Sequence, residues 1–138
     1  MSSEKLDLDF GDISRKLKQF TFPKVDYVVG IAEGGVYPAI LVAHQLGVDC
    51  KFIHLSFRDH ENHPVYPEPV LLSGDRQALP KGSRILLVDE VSVTGKTMSK
   101  ALEFLKDFEV TTFVLKGKGD FVLYPDIKTC VNWPWKVK

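Results

Sequence analysis

The sequence predicts an α/β fold with a central, mostly parallel β-sheet flanked by helices. Apolar strand-like runs alternate with helical segments along the chain, and this order is typical of parallel sheets with right-handed crossovers. The runs are apolar without strict alternation, as expected for strands covered on both faces. The predicted strands are 27–32, 50–56, 84–88 and 110–115, and the predicted helices are 13–20, 37–46 and 96–108.

The first half of the chain gives one strand between two helices. The segment ISRKLKQF (13–20) has apolar residues on one face, and Asp12 is its predicted N-cap. The strand YVVGIA (27–32) follows, and Gly34 and Gly35 then turn the chain into helix 37–46. Gly47 is the predicted end of that helix, because glycine adopts the left-handed conformation that closes helices.

The second half repeats the pattern after a long connection. Strand 50–56 leads into 57–70, which contains three prolines and no periodicity, so we expect a long mobile loop. Strand 84–88 precedes helix 96–108, and strand 110–115 follows it. The residues expected at core spacing on helix 96–108 are Met98, Leu102 and Leu105.

Length and composition favour a single globular domain, residues 1–138. Hydrophobic residues make up 44% of the chain, and 18 basic residues balance 18 acidic ones. This balance predicts no general attraction to nucleic acid or to membranes. Cys50 and Cys130 lie far apart in the sequence, without the spacing of a disulfide framework or zinc site. The N-terminus lacks a signal-peptide pattern and no apolar run spans a bilayer, so we expect a cytoplasmic protein.

The stretch ILLVDEVSVTGKT (85–97) ends like a nucleotide-binding P-loop but does not begin like one. Such a loop requires glycine where this chain has Glu90. Thr94, Gly95 and Thr97 instead lie at the start of a predicted helix, where unpaired backbone N–H groups favour an anion. We therefore expect a phosphate at this turn.

Asp89 and Glu90 precede that turn at the predicted strand end. Ionised carboxylates accept hydrogen bonds, so the pair suits vicinal hydroxyls such as those of a ribose. A charged strand end followed by an ordinary capped helix remains the alternative.

Residues 85–97 resemble the phosphoribosyl-pyrophosphate signature of the type I phosphoribosyltransferases. The resemblance implies that fold, with Asp89 and Glu90 on the ribose hydroxyls as catalytic residues. It also implies Mg²⁺, held indirectly by this acid pair through ribose hydroxyls or water. The residues implied around the 5′-phosphate are Val93, Thr94, Gly95, Lys96 and Thr97. The residues implied at pyrophosphate are Ala32, Glu33, Gly34 and Gly35, within VVGIAEGG (28–35).

The chain is most similar to the microbial xanthine-guanine branch of that family. This resemblance implies a core at about 24–116 and a small C-terminal hood at about 117–138, together with the N-terminal segment. Lys116 matches the lysine that contacts the 6-oxo group of a purine. The implied base-binding residues of the hood are Cys130, Val131 and Trp133.

Three positions depart from the family pattern in ways that matter for the chemistry. Glu33 stands where a basic residue is common, and Arg58 is a candidate to supply the missing positive charge at pyrophosphate. Val93 replaces an aspartate that accepts a proton near the purine N7. Cys130 replaces a stacking aromatic, for which Trp133 or Phe121 are candidates.

The resemblance implies transfer of the 5-phosphoribosyl group from phosphoribosyl pyrophosphate to a nucleobase, with 6-oxopurines favoured, by a homo-oligomer (a dimer or tetramer). A non-catalytic module that binds a nucleotide or phosphoribosyl pyrophosphate on the same fold is the first alternative. A structural α/β domain with a charged strand end is the second.

Overall fold

The computed structural model describes residues 5–56, 70–74 and 79–136. Most of the predicted loop at 57–70, including Arg58, therefore lies outside the described residues. The helices are α1 (Phe10–Gln19), α2 (Val36–Leu46) and α3 (Lys96–Phe104). The strands are β1 (Leu6–Asp7), β2 (Tyr27–Ala32), β3 (Asp49–Ser56), β4 (Val70–Gly74), β5 (Arg84–Ser92), β6 (Glu109–Gly117), β7 (Phe121–Val122) and β8 (Val131–Asn132).

The main sheet has six strands in the order β4-β3-β2-β5-β6-β7. All neighbouring pairs are parallel except β3 and β4, which are antiparallel. The predicted α/β fold with a mostly parallel sheet is confirmed. The order places β2 beside β5, so the loops that follow these two strands lie at the same edge of the sheet.

Helices cover both faces of the sheet, and β5 contributes to both cores. Leu86 and Val88 join the core under α1 and α2, which also contains Ile13 and Leu17. The intervening residues Ile85 and Leu87 face the opposite core, which lies under α3. This double burial explains why the strand is continuously apolar in sequence.

Four predicted boundaries were wrong by two residues or more: the start of α1 and the ends of β5, α3 and β6. Helix α1 begins at Phe10 with Asp9 as its N-cap, because Asp9 and Asp12 form a reciprocal capping box. Strand β5 continues to Ser92 because pairing with β6 extends past the apolar run. Helix α3 ends at Phe104. Leu102 is exposed and Ala101 is buried instead, whereas Met98 and Leu105 are buried as predicted.

The edge strand β4 was not predicted, because it follows a segment without periodicity. The C-terminal tail contributes two short strands. Strand β7 extends the main sheet beside β6, and β8 pairs in parallel with β1. Asn132 Nδ2 donates to Asp7 Oδ1 at 2.7 Å and supports the second pairing. Within the described ranges, no helix has the length and apolar character needed to cross a membrane.

Candidate functional site

The acid pair lies within β5, four residues before the turn that leads into α3. Asp89 pairs with Val114 of β6 in the strand register, so backbone pairing holds both acids in place. The prediction that the strand ends before Asp89 was therefore wrong. The extended backbone points neighbouring side chains in opposite directions, and Asp89 and Glu90 consequently meet different surroundings.

Asp89 is partly exposed, and one carboxylate oxygen has a local partner. The backbone N–H of Glu90 donates to Asp89 Oδ1 at 2.7 Å. Burial raises the pKa of Asp89 from 3.8 to about 7; that hydrogen bond opposes the rise and the charge of Glu90 adds to it. Asp89 is therefore a carboxyl group that ionises near neutrality, with Oδ2 making no hydrogen bond to the described residues.

Glu90 is buried and bound by the C-terminal segment. Trp135 Nε1 donates to Glu90 Oε2 at 2.7 Å, and Lys136 Nζ lies 3.3 Å from Glu90 Oε1. Burial raises the pKa of Glu90, whereas the contacts with Trp135 and Lys136 act in the opposite direction. Each carboxylate oxygen thus already has a donor from the protein.

The turn before α3 has the features of an anion site. Gly95 is the N-cap with φ +83°, and it provides no side-chain capping hydrogen bond. Lys96 N–H donates to Thr94 Oγ1 at 3.3 Å. Among the described residues, none accepts a hydrogen bond from the backbone N–H of Thr97 or Met98 in this first turn. These free donors at a helix N-terminus suit a phosphate group.

The loop after β2 lies against the acid pair. A Cβ on Gly34 would lie 3.6 Å from Asp89 Oδ1 and 3.5 Å from Glu90 Cβ. Glu33 is exposed, and the peptide bond between Ala32 and Glu33 is cis. The predicted pyrophosphate loop and the acid pair are therefore neighbours in space, although about 55 residues separate them in the sequence.

A cavity of about 590 Å³ brings the hood and the end of β5 together. Its walls include all four predicted base-binding residues, namely Lys116, Cys130, Val131 and Trp133. Val93 and Glu90, from the signature, line the same cavity. Lys116 reaches it because β6 continues to Gly117, which places Lys116 opposite Val91 in the strand register rather than after the strand.

A row of stacked aromatic rings extends from the wall of this cavity to the surface. Trp133 is buried and stacks on Trp135, with ring centroids 5.7 Å apart and planes within 6°. Tyr37, in the first turn of α2, stacks on Trp135 at 5.8 Å. Trp135 covers one side of the Trp133 indole, so a ligand has access only to the rest of that ring. Phe121 does not line the cavity and packs against Phe20 instead.

The acid pair fits Mg²⁺ only as an indirect site. In the part of the chain that the structure describes, no three His, Cys, Asp or Glu side chains group closely enough to hold a metal ion. Glu90 is already bound, which leaves Asp89 as the available carboxylate. One carboxylate with ligand oxygens and water is an arrangement that Mg²⁺ commonly accepts.

Comparison with known families identifies the domain. Residues 9–138 match the model of the phosphoribosyl transferase domain. The chain belongs to the phosphoribosyltransferase family. The predicted resemblance to this family is therefore confirmed, over nearly the whole length of the chain.

Curated relatives of this phosphoribosyltransferase-family chain have different functions. The transcriptional regulator GfcR of Methanocella arvoryzae is 35% identical over 83 residues, which cover 60% of this chain and 40% of that protein. Orotate phosphoribosyltransferase of Brucella ovis is 24% identical over 110 residues, which cover 80% and 51%. The chain thus spans about half or less of the length of these relatives.

Solved structures similar to this family member cover almost the entire chain. The purine phosphoribosyltransferase of Pyrococcus horikoshii has a TM-score of 0.73 and 26% identity, covering 97% of this chain and 95% of that one. A hypothetical protein from Neisseria gonorrhoeae with bound ppGpp has a TM-score of 0.72 and 25% identity, covering 97% and 91%. Xanthine-guanine-hypoxanthine phosphoribosyltransferase of Helicobacter pylori has a TM-score of 0.77 at 14% identity, covering 97% and 95%, and shows the shared fold.

The predicted site residues lacked four residues of the cavity wall: Lys5, Val91, Asn132 and Lys136. Lys5 and Asn132 reach the cavity through the pairing of β1 with β8, and Leu6 N–H donates to the carbonyl of Cys130 at 2.8 Å. Pairing between two-residue strands from opposite ends of the chain leaves no periodic signal in the sequence.

Proposed function

We propose that this chain transfers the 5-phosphoribosyl group from phosphoribosyl pyrophosphate to a nucleobase and releases pyrophosphate. The observation that carries the proposal is the shared cavity, where the predicted base-binding residues of the hood meet Val93 and Glu90 of the signature. The cavity wall therefore includes residues of the hood and of the strand that leads to the proposed donor site, and a group transfer requires two substrates to meet in this way.

We assign the donor to the edge of the sheet that carries the acid pair. The 5′-phosphate would bind the free N–H groups at the start of α3, with Val93, Thr94, Gly95, Lys96 and Thr97 around it. The loop of Ala32, Glu33, Gly34 and Gly35 would lie beside the pyrophosphate. Asp89 Oδ2 would accept a hydrogen bond from the ribose diol once the carboxyl group is ionised.

Mg²⁺, when bound with the donor, would neutralise the charge of the leaving pyrophosphate. The chain itself contributes position and exclusion of water rather than covalent chemistry. Glu33 is exposed beside Gly34 and carries a negative charge, so it suits the pyrophosphate only through a cation or while pointing away. Arg58 remains a candidate for compensating this charge.

We further propose that the acceptor is a 6-oxopurine. Lys116 lines the cavity and takes part in no ion pair with a described residue, so its ammonium group is available to a carbonyl oxygen. Trp133 and Val131 supply apolar walls for a planar ring. Val93 lines the same cavity but does not titrate, so the chain has no proton acceptor at that position.

The test is incubation with phosphoribosyl pyrophosphate, Mg²⁺ and a panel of bases, with pyrophosphate release as the signal. We expect hypoxanthine, guanine or xanthine to give turnover above adenine and orotate. Lys116→Met should lower kcat/KM for the preferred base by about tenfold or more, because a charge-assisted hydrogen bond is lost. Lys106 is an exposed lysine in the turn after α3, and Lys106→Met is the matched control.

A second candidate function is a nucleotide-binding regulatory module on the same fold. It is favoured by the similarity to the regulator GfcR and to the Neisseria gonorrhoeae protein with bound ppGpp. Binding of phosphoribosyl pyrophosphate or of a guanine nucleotide in calorimetry, without pyrophosphate release for any base, would favour this candidate. A structural domain would give no heat with either ligand.

We place the protein in the cytoplasm and expect a homo-oligomer, a dimer or a tetramer. Cys50 and Cys130 are free thiols, and burial raises the pKa of Cys50 to about 11. A half-buried thiol with a raised pKa and no disulfide partner is compatible with a reducing compartment. Light scattering combined with size-exclusion chromatography tests the oligomeric state.

A further inference from the structure

Both carboxylate oxygens of Glu90 are bound by neighbouring residues of the tail. Trp135 donates to Oε2 at 2.7 Å and Lys136 Nζ lies 3.3 Å from Oε1. Only 6% of Glu90 is exposed. A ribose diol that displaced Trp135 from this carboxylate would leave the indole N–H of Trp135 without its acceptor.

Asp89 has the opposite environment. Asp89 is partly exposed, and its only hydrogen-bond partner among the described residues is the N–H of Glu90. Gly34 of the pyrophosphate loop lies beside both acids. The two acids of the signature are thus unequal: Asp89 keeps one carboxylate oxygen without a hydrogen bond to the described residues, whereas both oxygens of Glu90 are bound by the hood.

The contact of Glu90 with Trp135 continues into the base cavity. The Trp135 indole lies between Tyr37 and Trp133, and it is nearly parallel to both rings. Trp133 lines the cavity in which the base is proposed to bind. The hydrogen bond to Glu90 holds the Trp135 ring in one orientation. Because Trp133 stacks on that ring, its own orientation is restricted as well.

We propose that Glu90 is a positioning residue that holds the hood over the base through Trp135, and that Asp89 alone receives the ribose diol. This inference rests on the proposed function. It assigns Glu90, the second acid of the signature, to binding of the base rather than to binding of phosphoribosyl pyrophosphate. Lys136 forms an ion pair with Glu90, and this pair balances the negative charge of the buried Glu90 carboxylate.

The test compares binding of the two substrates in four variants. Trp135→Phe keeps a ring between Tyr37 and Trp133 but removes the N–H donor. Glu90→Ala removes the acceptor, and Glu90→Gln keeps an acceptor oxygen without the charge. Asp89→Asn is the comparison variant for the site that binds phosphoribosyl pyrophosphate. For each variant, KM for the preferred base and Kd for phosphoribosyl pyrophosphate with Mg²⁺ are measured.

We expect Trp135→Phe and Glu90→Ala each to raise KM for the base about fivefold to tenfold, with a smaller change in Kd for the donor. Glu90→Gln should restore most of the loss. The double variant Glu90→Ala/Trp135→Phe should be no worse than the more affected single variant, because both remove the same hydrogen bond. Asp89→Asn should instead raise Kd for the donor.

An increase in donor Kd for Glu90→Ala that exceeds its increase in base KM overturns the inference, and so do additive effects in the double variant. Donor binding by the wild-type chain is measured first, because its absence overturns the proposed function itself. The indole N–H of Trp135 gives an independent signal: its exchange with solvent should be slow in the wild type and at least about tenfold faster in Glu90→Ala. Equal exchange rates in the two chains also overturn the inference.

Discussion

Gly35 packs directly against the carbonyl oxygen of Val88, the residue before the acid pair. A Cβ on Gly35 would lie 2.6 Å from Val88 O and 2.7 Å from Ile31 O. Both neighbours are backbone atoms of central strands, so they cannot move aside as a side chain can. This contact brings the loop after β2 to within van der Waals distance of Asp89 and Glu90.

We predict that Gly35→Ala lowers the free energy of unfolding by about 1–3 kcal/mol, because the backbone of β2 or β5 must shift. Gly34→Ala is the matched control one residue away. Its Cβ would meet only ordinary contacts of 3.5 Å and more, so its stability should remain within about 0.5 kcal/mol of the wild type. Urea unfolding of the two variants makes the comparison, and equal losses would contradict the packing argument.

Gly95 and Gly47 form a second matched pair, because both have positive φ and open space around the missing Cβ. Alanine at either position should destabilise the protein by about 1 kcal/mol through backbone strain. Only Gly95→Ala should also weaken binding of inorganic phosphate, by about tenfold, because Gly95 is the N-cap of the helix whose first N–H groups form the proposed anion site. Thermal unfolding and phosphate titration monitored by NMR separate the two effects. A similar loss of phosphate binding in Gly47→Ala would argue against a site at the start of α3.

Asp89 should make stability depend on pH in an unusual direction. Its pKa is raised from 3.8 to about 7, mainly by burial, so between about pH 4 and pH 7 the folded chain keeps a proton that the unfolded chain releases. Raising the pH through this window therefore lowers the free energy of unfolding. Asp89→Asn should lose this dependence and exceed the wild type in stability above pH 7 by about 1–3 kcal/mol. Parallel pH profiles for the two chains would show that Asp89 ionises normally.

The same ionisation should control donor binding. Ionised Asp89 accepts a hydrogen bond from the ribose diol, so affinity for phosphoribosyl pyrophosphate with Mg²⁺ should rise between about pH 6 and pH 8. Any change in the protonation of phosphoribosyl pyrophosphate itself affects the wild type and Asp89→Asn equally. The difference between the two pH profiles of affinity therefore reports on Asp89. Calorimetry at four pH values is sufficient, and an identical rise in both chains would remove Asp89 from the donor site.

Val93→Asp tests whether the acceptor is a purine. Val93 is 68% exposed and lines the cavity, so the substitution disturbs no core packing. A carboxylate here would match the family position near the purine N7. We expect kcat for a 6-oxopurine to rise about 10- to 100-fold, below the upper end of the roughly 10²–10⁴ that a positioned acid-base group supplies. Val93→Asn is the uncharged control, and an equal gain with it would indicate a change in binding rather than proton transfer.

The sequence by itself determined the α/β class, the main strands and helices, and the stretch at 85–97 that indicates the family. These features depend on local periodicity and turn chemistry: the apolar run before Asp89, for example, and the glycines at 35, 47 and 95. They can be recognised without knowing which distant residues meet.

Only the tertiary structure decided what surrounds each acid of the pair. Trp135 and Glu90 are 45 positions apart, and Lys5 reaches the cavity only because β1 pairs with β8. Two adjacent carboxylates are alike in a sequence. Their exposure and hydrogen-bond partners differ because the hood binds Glu90 and leaves Asp89 partly exposed, and such long-range packing has no local signature.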